Sequence, residues 1–152
     1  MLEAGSPAPH LELEDTDGRT VGVPGGRATL LYFLRSTTCP VCRHHVRTLA
    51  EDAAALEAAG VRVLIAVPED RETAAAWRAK HDVPFPVLTG RENSPHELVG
   101  LHRAVFGTLQ RSGSVLVDAR GVVRHAHSAT LPTAGFDRAG FAAAVAALGA
   151  PA

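Results

Sequence analysis

The chain has 152 residues, 46% of them hydrophobic and 20% charged, with a formal net charge of −1. That length suits one domain spanning residues 1–152, and so even a charge balance leaves no electrostatic footprint for nucleic acid. Charges interrupt every apolar stretch well short of the roughly 20 residues that cross a bilayer, so no membrane span is expected. The start, Met1-Leu2-Glu3-Ala4-Gly5, lacks the basic and apolar regions of a secretory signal, and a cytoplasmic protein is expected. Fourteen of the fifteen basic residues are Arg; beside so many Ala and Gly, this reads as a GC-rich coding bias rather than a phosphate-binding surface.

In chain order, Leu11-Glu12-Leu13-Glu14 alternates, Asp15-Thr16-Asp17-Gly18 supplies turn chemistry, and Thr20 to Val23 alternates again, which predicts a hairpin. Ala28 to Leu34 is an almost unbroken apolar run, as a strand buried on both faces requires. Val41 to Ala59 then carries Val46, Leu49, Ala53 and Leu56 at helical spacing, and Gly60 is a natural stop. Val61 to Val67 predicts a second central strand, followed by a helix from about Glu69 to His81 with acidic residues in its first turn. Pro84 and Pro86 punctuate a turn into a short strand ending near Leu88.

Ser94-Pro95 predicts an N-cap and first helical residue, opening a helix to about Val105. Ser114–Asp118 and Val122–His127 predict a hairpin around Ala119-Arg120-Gly121, and Asp137 to Leu148 an amphipathic helix. A βαβ unit implies parallel strands, and a closing antiparallel hairpin makes the sheet mixed. The expectation is an α/β thioredoxin-like fold: three layers, α/β/α, with a central mixed sheet and an N-terminal β-hairpin.

The only two cysteines, Cys39 and Cys42, stand in Cys39-Pro40-Val41-Cys42 at the strand-to-helix junction. A secreted scaffold would spread cysteines to close long loops, so this pair reads as chemical rather than structural. Cys39 falls at the helix N-cap, with Pro40 first in the helix. Unpaired amides and the positive end of the helix dipole favour a negative sulfur there. Arg35 and Arg43 add positive charge if they fold toward it. Cys42 lies one turn inward on the same face, placed to attack an oxidised Cys39 by exchange.

Other readings stay open at this point. Half a zinc site has the same Cys spacing, with His44 and His45 close by, but adjacent helical residues point about 100° apart. Haem attachment needs His directly after the second Cys, where Arg43 stands. Two inert core thiols are a further alternative. His10, His96 and His102 read as surface or capping residues, His125 and His127 as neighbours on one strand face, and Trp77 as a core contact. No metal or cofactor is implied.

Four segments resemble the peroxiredoxin-like branch of the alkyl hydroperoxide reductase and thiol-specific antioxidant (redoxin) family. They are Gly5–Leu13 with Asp17–Val21, Leu31–Arg43 around the dithiol, Trp77–Leu88, and Val115–Arg124. The resemblance implies a cysteine that attacks a hydroperoxide and becomes a sulfenic acid, which a second thiol resolves to a disulfide. By position, Cys39 would be the peroxidatic residue, with Cys42 resolving it. Ser36 would orient the peroxide, Arg111 would hold the thiolate and peroxide oxygens, and a thioredoxin- or glutaredoxin-type system would restore the dithiol. Tyr32 stands where typical members carry Pro, and Ser112 rather than Arg111 holds the usual spacing to Asp118. The C-x-x-C spacing is more usual in thiol-disulfide oxidoreductases, so a protein-disulfide substrate is the rival expectation, and a non-enzymatic redox sensor a third.

Overall fold

The structure, a computed structural model, describes residues 2–90, 94–101, 103–104, 109–129 and 136–148. Its elements run β1 (Leu11–Glu14), β2 (Thr20–Val23), β3 (Ala28–Phe33), α1 (Pro40–Glu51), α2 (Ala53–Ala58), β4 (Val61–Ala66) and α3 (Arg71–Lys80). There follow β5 (Val87–Leu88), α4 (Pro95–Leu98), β6 (Arg103–Ala104), β7 (Leu109–Gln110), β8 (Ser112–Val117), β9 (Val123–Ala129) and α5 (Arg138–Leu148).

Five strands form the central sheet in the order β5-β4-β3-β8-β9. The apolar run of β3 places it in the middle. It pairs in parallel with β4, Leu30 opposite Val63, and antiparallel with β8, Leu31 opposite Val115. Alternation along β3 then divides two cores. Leu30 and Tyr32 face one side with Val46, Leu49, Trp77 and Phe141 from the helices, and Leu34 joins them just beyond the strand. Leu31 and Phe33 face the other with Leu11, Leu13, Val99 and Leu101. Helices α1, α2, α3 and α5 thus build one outer layer, while the β1–β2 hairpin and the α4 segment build the other. This is the mixed α/β thioredoxin-like architecture, with the hairpin at its N-terminal end.

Two helices differ from their expected extents. The run from Val41 to Ala59 breaks at Asp52, whose N–H is shared between the Thr48 and Leu49 carbonyls as α1 ends and α2 begins. The helix opened by Ser94 and Pro95 stops at Leu98 rather than reaching Val105. Gly100, at φ 78°, turns the chain toward β6, a reversal that glycine adopts without steric cost. The remainder of that expected helix and His102 lie partly outside the described residues.

Asp118 fixes the β8–β9 turn. Its carboxylate accepts the N–H groups of Arg120 and Val122 at 2.9 and 3.0 Å and the Arg124 Nε–H at 2.8 Å. Among the described residues no helix is long and apolar enough to cross a membrane.

Candidate active site

Strand β3 ends at Phe33, and the loop from Leu34 to Thr38 delivers Cys39 to the start of α1. Cys39 is the N-cap, in extended conformation, and Pro40 opens the helix. The Cys39 Sγ accepts the backbone N–H of Cys42 at 3.2 Å. One of the unpaired donors of the first helical turn is therefore spent on the sulfur, where it stabilises negative charge.

Both thiols are unbridged and enclosed, Cys39 with 1% and Cys42 with 0% of their surface exposed. Cys42 Sγ accepts the Arg35 N–H at 3.4 Å, which ties the loop to the helix it precedes. Burial pushes the Cys42 thiol up to about 12, and its hydrogen bond with the Cys39 thiol acts in the same direction. The inner thiol is thus protonated at neutral pH.

A second anchor comes from across the sheet edge. Glu69, just after β4, accepts the Thr37 backbone N–H at 2.9 Å and the Thr37 hydroxyl on the same carboxylate oxygen. Inside the loop, the Ser36 and Thr38 hydroxyls are 3.0 Å apart, and the Ser36 carbonyl accepts the Cys39 N–H at 3.2 Å. Beside Thr37 and Thr38 opens a cleft of about 430 Å³, lined also by Arg43, Trp77, Lys80 and His81. Arg43 faces this cleft; its Nε is buried without a hydrogen-bond partner among the described residues, as is that of Arg35. Trp77 is packed into the helix-side core and also borders the cleft.

Ser36 is therefore brought into the loop that holds Cys39, through its carbonyl. Arg111 is exposed at the threshold of β8. Ser112, buried to 1% exposure, lies in register just beyond the Phe33–Gly113 pair, on the same sheet face as Leu116 and the dithiol. Among the described residues no hydrogen bond joins the Ser36 hydroxyl, Arg111 or the Ser112 hydroxyl to either cysteine.

His96 corrects the expectation of a surface or capping residue. It is fully buried, its Nε2 lies 2.6 Å from the Leu34 carbonyl, and its ring packs edge-on against Phe33. It therefore supports the end of β3 from the hairpin side. His44 is exposed, whereas His45 turns inward, its Nδ1 2.8 Å from the Tyr32 hydroxyl. Among the described residues no three His, Cys, Asp or Glu side chains gather as a metal site.

Sequence reasoning missed the roles of Thr37, Glu69, His96 and the Tyr32–His45 pair. One signal was available for the last: a tyrosine inside an otherwise apolar strand needs a partner for its hydroxyl.

Fold and site together define a thioredoxin-like protein with an N-capping thiol and a second thiol one turn behind it. The AhpC/TSA family profile matches residues 4–126, and the chain belongs to that family. Curated relatives include the chloroplastic peroxiredoxins Q of Oryza sativa subsp. japonica and Triticum aestivum. Each is 27% identical over 129 residues, covering 84% of this chain and 59% of the relative. The chain thus spans about three-fifths of the length of these relatives. Among solved structures, the peroxiredoxin-like protein from Aquifex aeolicus superposes with a TM-score of 0.83 at 17% identity, over 97% of this chain and 88% of that one. Peroxidoxin BcpB from Mycobacterium tuberculosis does so with a TM-score of 0.80 at 16% identity, over 97% of both chains. These structural likenesses establish the fold.

Proposed function

We propose that the chain is a thiol peroxidase of the peroxiredoxin type, acting on H2O2 or a small organic hydroperoxide. The Cys39 thiolate attacks the terminal peroxide oxygen, the O–O bond breaks, and water or an alcohol leaves with a proton, so that Cys39 becomes a sulfenic acid. The Cys42 sulfur then attacks the Cys39 sulfur, the hydroxyl leaves as water, and an intramolecular disulfide forms. An external dithiol of the thioredoxin or glutaredoxin type returns the pair to its reduced state.

The observation that carries this reading is the Cys39 sulfur on an amide of the first turn of α1, at 3.2 Å from the Cys42 nitrogen, with Cys42 enclosed behind it. Family membership supports the peroxide chemistry. The 1% exposure of Cys39 favours a small oxidant over a protein disulfide, whose backbone would have to reach an enclosed sulfur.

Trapping tests the reading. Exposed to H2O2, Cys42→Ser should accumulate a sulfenic acid at Cys39 that a dimedone-type probe labels, while the parent forms the Cys39–Cys42 disulfide instead. Labelling at neither thiol, with rapid reduction of insulin disulfides under dithiothreitol, would favour the protein-disulfide substrate.

A further inference from the structure

Disulfide closure requires the thiolate of Cys42, because the thiol itself is a poor nucleophile. Yet Cys42 is wholly enclosed, and among the described residues no carboxylate is hydrogen-bonded to it. Among the described residues its polar neighbours are the Arg35 N–H at 3.4 Å, the Cys39 thiol and the hydroxyl of Tyr32; burial pushes the Cys42 thiol up, and the nearby Tyr32 hydroxyl acts in the opposite direction. Tyr32 is itself fully buried on the helix-facing side of β3, and its hydroxyl sits 2.8 Å from His45 Nδ1. His45 in turn is half-buried at the rim of α1. Its ring stands edge-on to Tyr32 at 5.9 Å, and Phe136 packs on both rings at 5.8 Å. A line of polar groups therefore runs from the enclosed sulfur past the Tyr32 hydroxyl to an imidazole near the surface, with the Tyr32–His45 link a hydrogen bond of 2.8 Å.

We propose that Tyr32 and His45 form the proton path of the resolving step: Tyr32 takes the Cys42 thiol proton while passing its own to His45 Nδ1. As Cys42 loses its proton, its electron pair forms the S–S bond with Cys39, the Cys39 S–O bond breaks, and the leaving hydroxide takes one proton from solvent and departs as water. His45 ends as imidazolium and returns its proton to solvent. Tyr32 touches the reacting sulfur; His45 acts through it, as a positioning residue and proton acceptor. Both burial and the neighbouring charge of His44 hold His45 below the usual imidazole range, so it is neutral and able to accept at neutral pH. Among the described residues the ionisable groups facing this line are Cys39 and Cys42 at the Tyr32 end and His44 at the His45 end, while Phe136 packs across it with an apolar ring.

The proposal rests on the dithiol mechanism above, and its test separates the two. Reduced protein is mixed rapidly with H2O2, and sulfenic acid formation and disulfide closure are read separately by acid quench and mass measurement. Tyr32→Phe, which keeps the ring in the core, should slow closure about ten- to a hundredfold while leaving sulfenic acid formation within about threefold of the parent. His45→Gln should slow closure similarly and remove the inflection, below the usual imidazole range, at which the parent's closure rate falls on acidification. Closure at the parental rate in Tyr32→Phe, or an inflection that persists in His45→Gln, would overturn the path. Closure is also read without peroxide, from a methylthio mixed disulfide on Cys39 assembled at acid pH and released by a jump to neutral pH. Methanethiol release that slows in both variants supports the path even where the parent's sulfenic acid formation is slow, an outcome that would sink the peroxidase reading alone. Release unchanged in both variants would overturn the path.

Discussion

The Cys39 sulfur accepts the backbone N–H of Cys42 at 3.2 Å, so the outer thiol of the pair caps the helix that carries the inner one. Chemistry and local stability share one atom. A sulfur that holds the helix start is also one at which that helix start stabilises negative charge.

Removing the cap should therefore be visible apart from activity. Cys39→Ala is expected to lower stability by about 0.5–2 kcal/mol, the usual cost of losing an N-cap acceptor, whereas Cys39→Ser keeps an acceptor and holds stability near the parent's. Urea unfolding of the reduced proteins measures the difference. Both variants should lose reaction with peroxide, and equal stability of the two would show that the sulfur does not cap.

The enclosed thiol of Cys42 gives stability a distinct dependence on pH. Its folded value is raised from 9.0 to about 12, chiefly by burial, so folding favours the protonated form. The corresponding stability is fully present below about pH 9 and is lost as pH rises toward about 12. Reduced parent protein should accordingly lose more stability across that interval than Cys42→Ala, measured by urea midpoints at matched pH. Parallel curves would mean that Cys42 is hydrated in the native state.

Glu69 holds the loop before Cys39 through Thr37, in both its backbone N–H and its hydroxyl. Glu69→Ala should slow oxidation of Cys39 about tenfold or more through misplacement of the sulfur, with a smaller effect in Glu69→Gln, which retains a carbonyl acceptor. Initial rates of thiol loss under excess H2O2 decide it. Parental rates in Glu69→Ala would show that the loop is held by its other contacts.

Arg111 is exposed, and the adjacent Ser112 takes the sheet face that the dithiol occupies. Arg111→Ala is thus expected to change Cys39 oxidation by less than about threefold, since an exposed side chain without a bond to the reacting atoms contributes little. A loss of about a hundredfold would instead show Arg111 folding over the thiolate, as the family resemblance implies.

The parts legible in the sequence were those fixed by local rules. Cys39 and Pro40 announced the N-cap and first helical residue, the apolar run at Ala28–Leu34 announced the central strand, and Asp118 to Gly121 the closing turn. What escaped depends on contacts distant along the chain. Thr37 meets Glu69 across 32 residues, and Leu34 meets His96 across 62, so neither pairing leaves a periodic trace. His96 follows Pro95 at a helix start, where a capping role is the natural local reading; only the packing of a one-turn helix against Phe33 buries it. Tyr32 and His45 are 13 residues apart, one on β3 and one on α1, and their meeting follows from how that helix lies on the sheet.

In the proposed reaction Cys39 is the peroxide-reducing thiolate. Stopped-flow oxidation of the fully reduced protein by H2O2, with Cys39→Ser and Cys42→Ser in parallel, tests it most directly. The expected result is oxidation roughly a hundredfold or more faster than that of a free low-molecular-weight thiol, retained in Cys42→Ser and abolished in Cys39→Ser. Oxidation no faster than the free thiol, or an initial reaction that survives in Cys39→Ser and disappears in Cys42→Ser, would contradict it.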